Sequence, residues 1–186
     1  MIAFMCCFFW ADRLQSLWHF GYLNNRSEPE TSVAHARNLQ TMVWNSASVM
    51  REAAIAVYDL RKANIRAHIR DRASLAKLYR MAHRWDRDKR LIRIRNNIGF
   101  HVAPKMIKKG IAEAVKAYFR LVLVAADDHT AGRTSLRAGL ELLFMGSGMT
   151  AEEVDDILKI IVADTSAFSE LVQTVFLDVL KTKGLI

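Results

Sequence analysis

Only two prolines, Pro29 and Pro104, and eight glycines punctuate the 186 residues. A many-stranded sheet needs a turn roughly every ten residues, so a chain with so few breakers is expected to fold into long helices. The apolar positions agree. Over residues 32–63, Val33, Ala36, Leu39, Val43, Ala47, Met50, Ala54, Val57 and Leu60 step by three and four, the period of one helix face. A second helix is predicted from Asp71, whose carboxylate can cap the first amides, with Leu75, Leu78, Ala82 and Trp85 on its apolar side. Leu91, Ile94 and Ile98 continue a helical spacing through Arg93 and Arg95, and Gly99 and Pro104 then predict a break near His101. Pro104 suits the first turn of a further helix, which runs to residue 126 through Ile107, Ile111, Val115, Tyr118, Phe119, Val122 and Leu123.

At the N-terminus, residues 1–11 are apolar but lack a cationic lead and a small-residue cleavage site, and they are too short to span a bilayer. They are expected to form a buried or partner-covered helix, separated from the next by a loop over residues 24–31. The apolar tail over 117–126 is interrupted by Arg120 and also falls short of a span, so no transmembrane segment is expected. Cys6 and Cys7 are adjacent, a spacing that strains a disulfide, which points away from a secreted scaffold and towards the cytoplasm. A polar connection over 127–133 leads to a helix over 135–144 that Gly146, Ser147 and Gly148 end. Thr150 with Glu153 then forms a capping-box signature ahead of Val154, Ile157, Leu158, Ile161 and Val162. A last helix is predicted over 166–182, through Phe168, Leu171, Val172, Val175, Phe176, Val179 and Leu180. From residue 150 onward the chain holds 3 bases and 7 acids. The expected fold is all-α: a bundle of long antiparallel helices over residues 1–149 and an acidic C-terminal helical hairpin over 150–186, packed on or beside it.

The net charge of +8 is concentrated. Residues 51–110 carry 17 Lys and Arg against 5 Asp and Glu, and the rest of the chain carries 10 against 14. Such a block focuses a positive potential for which RNA, DNA and an acidic protein surface are all eligible, while a plainly solvated arginine face is the competing reading. Within it Arg80, Arg84, Arg87, Arg90 and Arg93 recur every three or four residues and form the candidate nucleic-acid contact stripe. His68, His83 and His129 have no metal-ligand spacing and the cysteine pair has no companion, so neither a metal nor a cofactor is expected. Gly146–Gly148 lacks the lysine of a phosphate loop, no helix-turn-helix is evident, and the four tryptophans are assigned to the core.

The string RIRNNIGFH, residues 93–101, holds the densest chemistry. Metal-free cleavage of RNA needs a base that titrates near neutrality to help the 2′-hydroxyl attack the adjoining phosphate, and a cation for the charge that develops there. Histidine and arginine supply these. In a continuous helix Arg95 and His101 would lie about 120° apart around the axis, so joint action requires a bend at Gly99 or a second subunit across a two-fold axis. Asn97 and His101 would share a face. A histidine that merely caps a helix end is the competing reading.

Arg95, Asn96 and His101, within RNNIGFH, resemble the Arg, polar residue, spacer and His pattern of the HEPN superfamily (higher eukaryotes and prokaryotes nucleotide-binding). The likeness is greatest to small prokaryotic members of abortive-infection and toxin systems, in which a long first helix and an arginine-rich second helix precede the motif, and it covers residues 32–126. The resemblance implies an all-α homodimer whose two motifs form a composite, metal-independent endoribonuclease site. In that scheme Arg95 contacts the scissile phosphate, Asn96 orients it or the motif backbone, and His101 transfers a proton. It further implies RNA as substrate and a role in phage defence or in a toxin–antitoxin system, with an antitoxin or other protein as partner. Some members of the superfamily lack nuclease activity. The alternative is therefore a non-catalytic helical module that binds nucleic acid or an acidic protein.

Overall fold

The computed structural model describes residues 1–26, 33–96, 104–116 and 146–186. Among these residues the regular structure is helical, with no strand. The helices are α1 (Ile2–Arg26), α2 (Val33–Lys62), α3 (Arg72–Arg87), α4 (Lys89–Ile94), α5 (Pro104–Lys116) and α6 (Ala151–Thr182), with a short 3-10 turn at Ile65–His68 between α2 and α3. The all-α class read from the scarcity of breakers is the class observed. The expected helix over 135–144, the polar connection over 127–133 and the end of the helix that begins at Pro104 lie outside the described residues.

α2 is the central helix, and its composition explains why. Met42, Val43, Trp44, Val49, Met50, Val57 and Leu60 are buried, and so are the small residues Ser46, Ala47, Ser48, Ala53, Ala54 and Ala56 around the rest of its circumference. Small side chains let neighbours approach on several sides, and Ser48 satisfies its hydroxyl by donating to the Trp44 carbonyl one turn back, at 2.9 Å. α1 packs along α2 as its antiparallel partner. A Cβ at Gly21 would sit 2.2 Å from the Met42 sulfur, so glycine permits the approach of the two helices there. α1 runs on through Asn24 and Asn25, where a loop was expected. It buries Phe4, Cys7, Ala11 and Leu14, while Ile2, Met5 and Phe9 on the opposite side are exposed.

α6 corrects the expected hairpin: Ala151–Thr182 is one unbroken helix of 32 residues. The stretch from Ala163 to Ser166 looks like a turn because Asp and Thr suit turns, yet here both side chains are satisfied without one. Thr165 Oγ1 donates to the Ile161 carbonyl at 2.7 Å, and the Asp164 carboxylate, 5% exposed, accepts from Trp85 Nε1 at 2.7 Å and Arg84 Nη2 at 2.6 Å. Without a Gly or Pro, the backbone has no reason to leave the helix. The capping box at its start forms as expected, with Thr150 and Glu153 bonding reciprocally at 3.1 Å. By length and composition alone, Glu152–Thr182 would suffice to cross a membrane, a candidate that the sequence reading did not expect. In this fold the helix turns Ile157, Ile161, Phe168, Val172 and Val175 into the same core as α1, α2 and α3.

α3 and α6 run antiparallel. Arg84 and Trp85 meet Asp164, and at the other end the backbone N–H groups of Arg70 and Asp71 donate to Asp178 at 2.7 and 2.8 Å. The Trp85 and Phe168 rings lie 5.1 Å apart at the centre, and Phe4 and Phe8 close on Phe176 at 5.2 and 5.1 Å. Each fully buried aromatic or aliphatic side chain contributes about 1.5–3 kcal/mol, so the α3–α6 seam is a principal source of stability.

Two outcomes follow from this packing. Asp164→Ala strands the buried Trp85 indole N–H, and should lower unfolding free energy by about 1–3 kcal/mol, read as a lower urea midpoint, with Asp164→Asn milder; an unchanged midpoint in the alanine variant contradicts the role given to this contact. Cys6 is exposed, whereas burial pushes the Cys7 thiol up to about 12. A thiol reagent at mildly alkaline pH should therefore modify Cys6 in the native protein and Cys7 only after unfolding, as counted by intact mass.

Candidate nucleic-acid interface

The basic stripe and the RNNIGFH string are separated by a capping device at Asp88. Its N–H closes α3 by donating to the Arg84 carbonyl at 3.1 Å, and its carboxylate caps α4 by accepting from Arg90 N–H at 2.8 Å. The helical spacing from Leu75 to Ile94 is thus real but divided, because an aspartate in extended conformation ends one helix and starts the next. The stripe is divided with it.

Much of the stripe faces acids. Arg84 binds Asp164; Arg90 forks onto Asp88 at 2.7 and 3.1 Å and reaches Asp156 of α6 at 3.4 Å; Arg93 binds Glu153 at 2.8 Å. Arg80 and Arg87 are exposed and form no ion pair among the described residues. Helix α6 accordingly takes up three of the five arginines. Glu153 is held below the usual carboxylate range by the Arg93 guanidinium and by the Thr150 amide. Burial pushes the Asp88 carboxyl up, but the bonds from the Arg90 side chain and backbone outweigh it and leave Asp88 below its ordinary value.

At the end of α4 the chain passes into a wider helical turn holding Arg95 and Asn96. Arg95 keeps a helical backbone and its N–H reaches the Leu91 and Ile92 carbonyls. Its guanidinium donates through Nε and Nη2 to Glu52 Oε1 of α2 at 3.1 and 3.0 Å, and through Nη1 to Asn96 Oδ1 at 3.3 Å. The side chain is 41% exposed, so Glu52 orients the cation without sealing it from solvent. Arg95 and Asn96 are therefore brought together, with the arginine braced from below. Asn97, Gly99 and His101 lie outside the described residues, as does the expected break near His101.

Two participants had little signal in the sequence. Glu52 sits amid an Ala-rich helix, and only its place one residue beyond Arg51, which binds Asp86, hints at a polar rim. Asp88 lies inside an unbroken helical spacing from Leu75 to Ile94, which conceals its capping of α4. Among the described residues no three His, Cys, Asp or Glu side chains gather where they could hold a metal ion. Compared with protein-family models, with curated proteins and with solved structures, the chain matches none.

Depressed carboxylates make stability depend on pH in a defined direction. The contributions of Asp88 and Glu153 are complete above their ordinary values of 3.8 and 4.5 and are lost as pH falls through the lower folded values. Melting temperature should therefore fall on acidification below about pH 4.5, and the double variant Asp88→Asn/Glu153→Gln should show a flatter decline; parallel profiles would contradict the assignment.

Proposed function

We propose that this chain is a metal-independent endoribonuclease of the HEPN type, acting as a homodimer in the cytoplasm, in phage defence or as the toxin of a toxin–antitoxin pair. The observation that supports the reading is the braced Arg95–Asn96 pair at the end of α4, the two residues of the RNNIGFH trio that the structure describes. A guanidinium held through Nε and Nη2 by Glu52, with Nη1 on the exposed Asn96, is oriented before any phosphate arrives, which lowers the entropic cost of gripping it.

In this scheme Arg95 stabilises negative charge on the phosphate while the 2′-hydroxyl attacks and the 5′-oxygen leaves. His101 exchanges the protons, and Asn96 holds the phosphate or the motif backbone. The partner subunit's copy of the motif completes the site. The products would carry a 2′,3′-cyclic phosphate and a 5′-hydroxyl.

A second reading is favoured by the ion pairs of Arg84, Arg90 and Arg93 with α6. Arginines committed within the chain suit a structural or binding module whose remaining charge attracts RNA or an acidic protein.

Single-stranded RNA incubated with the protein in EDTA separates the two. Arg95→Ala and His101→Ala should each lower cleavage by about two to four orders of magnitude, with circular dichroism unchanged. Glu52→Gln should lower it less, since it only loosens Arg95. Cleavage that survives in both alanine variants, or a strictly monomeric protein by sedimentation, would sink the nuclease reading; salt-sensitive RNA binding without cleavage would favour the module.

A further inference from the structure

A basic surface lies beside the α3–α6 seam. Two adjoining concavities, of about 480 and 440 Å³, are walled by the end of α2, the 3-10 turn and α3, and they share Arg61 and Tyr79. Arg66 and Arg72 stand around the first, over the buried Leu75; Arg80, His83 and the Asp164-paired Arg84 stand around the second. Among the described residues no carboxylate lines either one. Arg61, Arg66, Arg72 and Arg80 are exposed and form no ion pair among the described residues, in contrast with Arg84, Arg90 and Arg93. The nearby acids are already engaged: Asp59 with Lys62, Asp71 with the Ser74 amide, and Asp86 with Arg51 and Tyr58. The side chains that line the two hollows are thus net positive.

Tyr79 is the shared wall and is half-buried. Arg61 and Arg66 line the same hollow as its ring, and burial raises its phenol while their charges oppose that rise. An aromatic ring flanked by cations is the arrangement that holds a base by stacking and its adjoining phosphates by charge. Arg72 and Arg80 are separated by about 12 Å along the axis of α3, room for more than one phosphate.

We infer that this groove is a binding site for single-stranded RNA, with Arg61, Arg66, Arg72 and Arg80 on consecutive phosphates and Tyr79 stacked on a base. It rests on the proposed function only in choosing RNA among polyanions, and it needs no cleavage. This face adjoins the stripe expected from spacing, with Arg80 and Arg84 common to both.

The test is fluorescence anisotropy of the full chain with a short labelled single-stranded RNA in EDTA. The triple variant Arg61→Gln/Arg66→Gln/Arg72→Gln should bind at least about tenfold more weakly, with the logarithmic salt slope reduced by about 2. Arg13→Gln, exposed on α1 and outside both the groove and the stripe, should stay within about twofold of wild type. Tyr79→Leu should weaken binding and Tyr79→Phe restore it, since stacking needs the ring and not the hydroxyl. Wild-type affinity in the triple variant overturns the inference, as does a wild-type protein that binds no RNA. Binding of AMP as tight as that of the RNA, or equal competition by polyglutamate, also overturns it. Cleavage assayed in the same samples keeps the readings apart: RNA bound through the groove but not cut upholds this site and defeats the nuclease, whereas RNA cut with undiminished affinity in the triple variant does the reverse.

Discussion

A carboxylate buried at the middle of a helix needs donors, and Asp164 has two. Its bonds to Trp85 and Arg84 tie α6 to α3 where the Trp85 and Phe168 rings meet, so the polar contact and the apolar seam occupy the same place. Removing one side of such an arrangement leaves a desolvated charge or dipole behind, a cost larger than the net gain from forming it. The position of α6 over the arginine-bearing helices follows from this contact. So does the division of the arginines into those that hold the bundle together and those that face outward.

That division separates arginines committed within the chain from arginines open to solvent. Along α3 and α4 the basic residues pointing at α6 find Asp156, Asp164 and Glu153, and they neutralise the acidity of the C-terminal segment. The arginines that point the other way, or lie at the end of α2, keep their charge for solvent or a ligand. Arg95 stands between the two groups, paired with Glu52 yet partly open. Its brace lies on the central helix, so the orientation of the motif arginine is inherited from the most buried element of the fold.

The helical class, α2, the Asp71 cap and the capping box at Thr150 were legible because each rests on local chemistry: period, cap and scarcity of breakers. The faces were legible too, since Leu75, Leu78, Ala82 and Trp85 are all buried. What escaped depends on partners distant in the chain. Ala163 to Ser166 reads as a turn until Arg84 and Trp85 are seen to satisfy Asp164. The arginine stripe reads as one surface until Asp88 divides it. Of the RNNIGFH trio, the structure adds the pairing of Arg95 with Asn96 and the Glu52 brace, neither of which spacing can reveal.

The order of contacts along α6 has one more consequence. From its first turn to its last, Glu153, Asp156, Asp164 and Asp178 meet Arg93, Arg90, Arg84 and the amides of Arg70 and Asp71 in strict reverse sequence. An apolar helix of this length could slide by one turn, about 5.4 Å, and still find aliphatic neighbours. Such a slide would mismatch every one of these polar contacts together. The acids thus act as the teeth of a key, selecting one alignment among several that greasy packing alone would tolerate.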